Sequence, residues 1–214
     1  MKNIVCIGDS FTYGDELPNR DDAWPHILAR LNNWNVKNLG SPGGSNDLFL
    51  RLVFEEQNKH DLIILSWSTP IRTEILYGNI PFSISPSISA KMKFNWGLDY
   101  YKYYYSDYHA HFKWLSSIVM LQSYLKSINQ PYVFCSTFSM LSSLDKETFD
   151  KYYPNLEFLI NQVDKTHYID WHELGMTDWM GDCLKAPGGH PLELGHQRIA
   201  SRINEHIRNV GWLS

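Results

Sequence analysis

Asn3-Ile4-Val5-Cys6-Ile7-Gly8-Asp9-Ser10-Phe11-Thr12-Tyr13-Gly14 is the stretch from which the fold is read. Residues Asn3 to Ile7 are rich in β-branched and apolar side chains and stop at a Gly-Asp-Ser turn signal. A short run with no polar alternation suits a strand buried on both faces, as in a parallel sheet covered by helices. Four further runs have the same character: Val36 to Leu39, Leu62 to Leu65, Tyr132 to Cys135, and Tyr168 with Ile169. Between them lie amphipathic stretches of helical spacing, about Ala23 to Leu31, Asp47 to Asn58, Phe112 to Ile128, Leu156 to Val163 and Leu192 to Val210. This alternation predicts an α/β protein, a three-layer α/β/α sandwich with a five-stranded parallel sheet. Ligands of such sheets gather at the carboxyl ends of the strands, where Asp9 and Ser10 stand.

The pattern breaks at about 70–111, a stretch rich in proline, serine and aromatic residues that contains Trp96 and the run Tyr100-Tyr101-Lys102-Tyr103-Tyr104-Tyr105. So long an interruption reads as an inserted lid. Its tyrosines and Trp96 suit stacking on sugar rings, or else packing of the lid onto the domain. With no internal repeat and no linker composition, residues 1–214 are expected to form one domain.

A net charge of -4 with charged residues at 20% offers no basic footprint for a phosphate backbone, so nucleic acid is not an expected partner. Cys6, Cys135 and Cys183 are odd in number and far apart, which fits neither a disulfide framework nor a zinc knuckle, and they are expected reduced. Met1-Lys2-Asn3 leads straight into a short apolar run without a signal-peptide core, and no run approaches the roughly 20 residues of a membrane span. A cytoplasmic chain with no membrane partner is expected. His109-Ala110-His111 lacks a third ligand at metal spacing, and His172-Glu173-Leu174-Gly175-Met176 lacks the second zincin histidine. The glycines from Gly40 to Gly44 have neither dinucleotide spacing nor a phosphate-loop lysine. Neither a metal nor a nucleotide cofactor is called for.

Two constellations carry chemistry. A serine at a strand end can present its hydroxyl and its backbone N–H to one substrate atom, so Ser10 is a candidate nucleophile and oxyanion donor. The plainer alternative is that Asp9 and Ser10 form a turn or helix cap. Far downstream, Gly188-Gly189-His190-Pro191-Leu192 places a histidine on a stiffened loop just before a helix, since proline suits a first helical turn. Neutral imidazole can take the serine proton and return it to a leaving group. His196 falls inside the helix and is read as a core or capping residue.

In their order and separation, Gly8-Asp9-Ser10 and His190-Pro191 resemble the SGNH (GDSL-like) hydrolases, whose flavodoxin-like fold carries its nucleophile after the first strand and its base late in the chain. The segment Gly40-Ser41-Pro42-Gly43-Gly44-Ser45-Asn46 resembles the second block of that family. By that resemblance the Gly43 N–H joins the Ser10 N–H in the oxyanion hole, in preference to Gly40 or Gly44. A plain turn with a Ser45 helix cap is the alternative. In the third block, Ser66-Trp67-Ser68-Thr69 stands where the family has a glycine and an asparagine, which leaves Ser68 or Asn46 as the replacement donor. Trp67-Ser68-Thr69-Pro70-Ile71-Arg72 is similar to a variant third block of phage and bacterial type, and it suggests Asp9, Trp67 and Arg72 as substrate-binding residues. Arg72 suits a bidentate contact to a substrate carboxylate or phosphate, or pairing with a nearby acid. Pro187 stands where the family has the aspartate that orients its histidine, so orientation of His190 falls to a backbone carbonyl, to Asp182, or to packing alone. A serine–histidine dyad remains workable without the third member.

These readings converge on a serine esterase or deacylase cleaving a small acyl group, such as acetyl, from a small-molecule or carbohydrate ester. A sugar O-acyltransferase with the same nucleophile is one alternative. A non-catalytic carbohydrate-binding or structural protein with a degenerate site is the other.

Overall fold

The structure, a computed structural model, describes residues 1–56, 59–139, 151 and 153–212. In chain order these form β1 (Asn3–Gly8), α1 (Ser10–Tyr13), α2 (Trp24–Asn32), β2 (Asn35–Gly40), α3 (Asn46–Glu55), β3 (Leu62–Trp67), β4 (Thr73–Tyr77), β5 (Ile80–Ile84), α4 (Pro86–Lys91), α5 (Asn95–Tyr103), α6 (Asp107–Ser127), β6 (Tyr132–Ser136), α7 (Glu157–Ile160), α8 (Met176–Trp179) and α9 (Glu193–Asn209), joined by loops and short 3-10 turns.

Four strands make the central sheet in the order β2-β1-β3-β6, all parallel. Because side chains alternate across a strand, the apolar runs divide by parity between two cores. Val5, Ile7, Ile63, Leu65, Trp67, Tyr132 and Phe134 face α3 and α6, meeting Phe49, Val53, Trp114, Leu115 and Ile118. Ile4, Cys6, Leu62, Ile64, Val133 and Cys135 face α2 and α9, meeting Trp24, Leu28, Ile199, Ile203 and Ile207. This is the three-layer arrangement expected of strands with no polar face.

The expected fifth strand is reduced to one pairing. Tyr168 forms a single parallel bridge with Phe134, and Ile169 N–H donates to Phe134 O at 2.8 Å. A 3-10 turn at Lys165–His167 leads into it and Asp170, at φ 47°, turns the backbone out of it, so the pairing stops at one bridge and the sheet has four strands rather than five. Helix α6 starts at Asp107, earlier than the expected Phe112, because Ser106 caps it by accepting from His109 N–H at 3.2 Å. Conversely, α7 is a single turn, shorter than the Leu156 to Val163 expected, and the expected end of α3 at Asn58 lies outside the described residues.

The stretch at about 70–111 is ordered rather than a bare loop. It holds the antiparallel hairpin β4–β5, then α4, α5 and the first turn of α6. The hairpin turns at Gly78 and Asn79, with Gly78 at φ 63°. Anchorage to α3 is polar: Asp47 Oδ2 accepts from Thr73 Oγ1 at 2.9 Å and from Lys113 Nζ at 2.7 Å, and Arg51 pairs with Glu74 at 2.9 Å. Tyr101 Oη lies 2.8 Å from Ile71 O and 2.9 Å from Ile84 O, pinning α5 to both ends of the hairpin. No described helix is long and apolar enough to cross a membrane.

Candidate active site

At the carboxyl edge of the sheet, α1 opens on Ser10, which is 6% exposed. Asp9 is its N-cap, the Oδ1 atom accepting from Phe11 N–H at 3.1 Å. Two glycines let this short helix sit down on the sheet. A Cβ at Gly8 would stand 2.2 Å from Thr12 Oγ1, and one at Gly40 would stand 2.2 Å from Tyr13 N. Thus the ends of β1 and β2 press directly on the turn that carries the serine.

Asp9 is fully buried, and its carboxylate is taken up by protein groups. Oδ2 accepts from Ser68 Oγ at 2.9 Å and from Arg72 Nη1 at 3.1 Å, while Oδ1 also accepts from Thr137 Oγ1 at 3.1 Å. Arg72 Nη1 further donates to Ser68 Oγ at 2.9 Å, so that hydroxyl accepts from arginine and spends its single proton on Asp9. Asn46 in turn grips the backbone of residue 68, with Ser68 N–H donating to Oδ1 at 2.8 Å and Nδ2 donating to Ser68 O at 3.0 Å. The structure therefore brings Asp9, Ser68, Arg72 and Asn46 together beneath the serine turn as a buried polar brace. Trp67 is not part of any ligand surface. It continues the parity of Ile63 and Leu65 into the core, is fully buried, and packs edge-on against Phe134 at 5.5 Å.

The backbone donors stand differently. Neither the Ser10 N–H nor the Gly43 N–H has a hydrogen-bond partner among the described residues. Gly43 is held at φ 71°, a left-handed conformation that favours glycine, and a Cβ there would press on the tip of Ile88 at 3.0 Å. Just beyond it Ser45 caps α3, accepting from Leu48 N–H at 3.3 Å.

His190 sits in a hairpin-like loop closed by the Lys185–Pro191 bridge and by Ala186 N–H donating to His190 O at 2.9 Å. Its ring meets Phe11, the neighbour of Ser10, edge-on at 6.0 Å. Asp182 does not orient it: that side chain is 94% exposed and pairs with Arg198 at 3.1 Å. Instead Nδ1 lies 2.5 Å from Glu16 Oε2, and Glu16 Oε1 accepts from Gly188 N–H at 3.0 Å. A carboxylate only accepts, so Nδ1 carries the hydrogen and Nε2 is left to receive a proton. Asp15 Oδ2 is 3.8 Å from Nε2. The hydrogen bonds from His190 and Gly188 hold the Glu16 carboxyl below its ordinary range. Sequence reading missed Glu16. The available signal was the pair of acids, Asp15 and Glu16, immediately after Gly14, but nothing local joins them to a histidine 174 positions away.

His196 has the core role expected of it. It is fully buried, its Nδ1 accepts from Trp24 N–H at 3.2 Å at the start of α2, and burial lowers its pKa to about 4. Two clefts open near the ends of β1 and β2, and of the site residues only Gly43 lines one of them. One of about 520 Å³ is lined by Tyr13, Asn19, Arg20, Asp21, His26 and Asn38. Another of about 470 Å³ includes Gly43 together with Leu48, Pro81, Phe82, Ile88 and Met92 from α3 and the insertion.

No protein-family model matches the chain, and no curated protein sequence does. Solved structures do match its fold. An acetylxylan esterase from Geobacillus stearothermophilus, solved as a catalytic mutant, superposes with a TM-score of 0.56 at 14% identity, over 99% of this chain and 95% of that one. A putative lipolytic protein of the G-D-S-L family from Desulfitobacterium hafniense gives 0.52 at 12% identity, over 96% and 99%. A family two carbohydrate esterase from Clostridium thermocellum, in complex with cellohexaose, gives 0.53 at 14% identity, over 99% of this chain but 65% of its own length. The chain has the SGNH hydrolase fold.

Proposed function

We propose that this protein is a serine esterase that removes a small acyl group, such as acetyl, from a carbohydrate, with Ser10 as nucleophile and His190 as general base. The observation that carries the reading is the state of His190: Nδ1 is engaged by a carboxylate, and the ring packs against the residue next to Ser10. That leaves Nε2 as the basic nitrogen beside the nucleophile turn.

In the first half-reaction Ser10 Oγ bonds to the acyl carbon and its proton passes to His190 Nε2. The tetrahedral oxyanion is received by the free N–H groups of Ser10 and Gly43. The carbon–oxygen bond to the sugar then breaks, and the imidazolium returns its proton to the departing hydroxyl. Water repeats the sequence on the acyl-enzyme, losing a proton to His190 and releasing the carboxylic acid with Ser10 restored. Since Ser68 donates to Asp9 and Asn46 holds Ser68, the oxyanion is left to backbone donors. One missing donor typically costs about 100- to 1000-fold in turnover, so a slow or specialised esterase is expected.

Two observations favour a sugar ester. Fold neighbours include an acetylxylan esterase and a two-domain esterase active on acetylated mannans. The cleft that includes Gly43 is lined by Ser41, Arg51, Glu74, Ser83 and Lys91 as well as by apolar groups, which gives the hydroxyl groups of a sugar polar partners. The test is labelling with an organophosphonate probe together with acetate release from p-nitrophenyl acetate and from acetylated xylan and mannan. Labelling and release that vanish in Ser10→Ala and His190→Ala are expected. An unlabelled, inactive parent protein favours the non-catalytic reading, and acetate release that falls as a free sugar acceptor is added favours acyl transfer.

A further inference from the structure

Resting on the esterase reading above, we infer that Glu16 is the positioning residue of this site, fixing the tautomer and aim of His190 from the nucleophile's own turn. Each of its carboxylate oxygens has its own partner in the histidine loop, Oε2 facing His190 Nδ1 at 2.5 Å and Oε1 accepting from Gly188 N–H at 3.0 Å. A single carboxylate thus sets both the rotation of the imidazole and the height of the loop that carries it. The fit is close on the loop side, for a Cβ at Gly188 would stand 2.4 Å from Glu16 Oε2.

An ordinary surface ion pair does not account for this arrangement. Such pairs contribute little stability, whereas Glu16 holds a left-handed backbone at φ 64°, a conformation that disfavours side chains other than those of glycine, asparagine and aspartate. Backbone strain of this kind persists where surrounding contacts over-determine it, and it clusters at active sites. The acids on the histidine side are turned elsewhere: Asp182 is bound to Arg198, and position 187 is a proline. Asp15, 3.8 Å from Nε2, lies on the other ring nitrogen and cannot fix the tautomer through Nδ1.

Glu16→Gln keeps an acceptor for Nδ1 but removes the charge that stabilises the imidazolium. Its kcat on p-nitrophenyl acetate should fall by about 100- to 10,000-fold with KM within about twofold of the parent, since an acid of this kind acts on proton transfer rather than on binding. Glu16→Asp, which restores the charge and tolerates the left-handed backbone, should recover at least about tenfold over Glu16→Gln. Asp182→Ala should leave kcat unchanged. Proton NMR supplies the readout that a merely structural role would not move: the downfield Nδ1–H signal, assigned by its loss in His190→Ala, should be present in the parent and in Glu16→Asp and displaced in Glu16→Gln. A Glu16→Gln protein with unchanged kcat, or with the same downfield signal, overturns the inference. Should Ser10→Ala keep its activity, the esterase reading itself fails; should Ser10→Ala be inactive while Glu16→Gln is not, only the role of Glu16 fails.

Discussion

Asp9 is a fully buried carboxylate whose cationic partner is Arg72, at 3.1 Å. Removing one member of a buried ion pair strands the other, at a cost of about 3 to 5 kcal/mol. Arg72→Ala should therefore lower the unfolding free energy measured in urea by an amount in that range, and it should weaken the cap on which Ser10 rests. Were Arg72 a substrate anchor, the same change would raise KM at unchanged stability, so paired unfolding and kinetic measurements separate the two. At this scale the sequence reveals residue types better than their partners. Ser10 and His190 stand out because strand ends and proline-stiffened loops are local features. Glu16 stays hidden because its partner is distant in the chain, and Asp182 misleads because its partner, Arg198, lies on α9. Trp67 and Ser68 are adjacent, yet strand parity sends one ring into the core and the other hydroxyl to the brace.

Helix α9 is joined to α2 by His196, whose buried Nδ1 accepts the Trp24 N–H. Its neutral ring is favoured in the folded state, where burial brings the pKa from an ordinary value near 6.5 to about 4. Because the unfolded chain binds the proton more readily, stability from this group is complete above pH 6.5 and is lost as pH falls toward 4, by about 3 kcal/mol. Urea unfolding followed between pH 4 and 7 should show this slope in the parent and a shallower one in His196→Gln. Strands of this fold were legible because they are unbroken apolar runs, and the helices because their stripes are regular. The hairpin β4–β5 was not: proline and serine dilute its alternation, although Gly78-Asn79 is a two-residue turn signal. Tyr168 and Ile169 resemble a fifth strand in sequence because their apolar character serves the core, while Asp170 turns the chain away.

Over the whole molecule, the sheet separates two cores, and both of its inner thiols lie in the one beneath α2 and α9. Cys6 and Cys135 are completely buried, and burial pushes the Cys135 thiol up to about 12 and that of Cys6 well above its usual value. A thiol reagent such as dithionitrobenzoate should leave both unmodified in the native protein at pH 8 and react with them only on global unfolding. Reaction of Cys6 or Cys135 under native conditions, mapped by mass spectrometry, would contradict this packing.

The tie between Glu16 and the loop of His190 spans 174 positions of the chain. Closing so large a ring is entropically expensive, and little local structure prepares it. Docking of α9 on α2 closes nearly the same ring through Trp24 and His196, 172 positions apart, so activity in a refolding protein should return with the burial of Trp24 and after most helix content. On the proposed reading the site is held by a clasp, and a chain arrested with its clasp unfastened should have the right shape and no esterase activity.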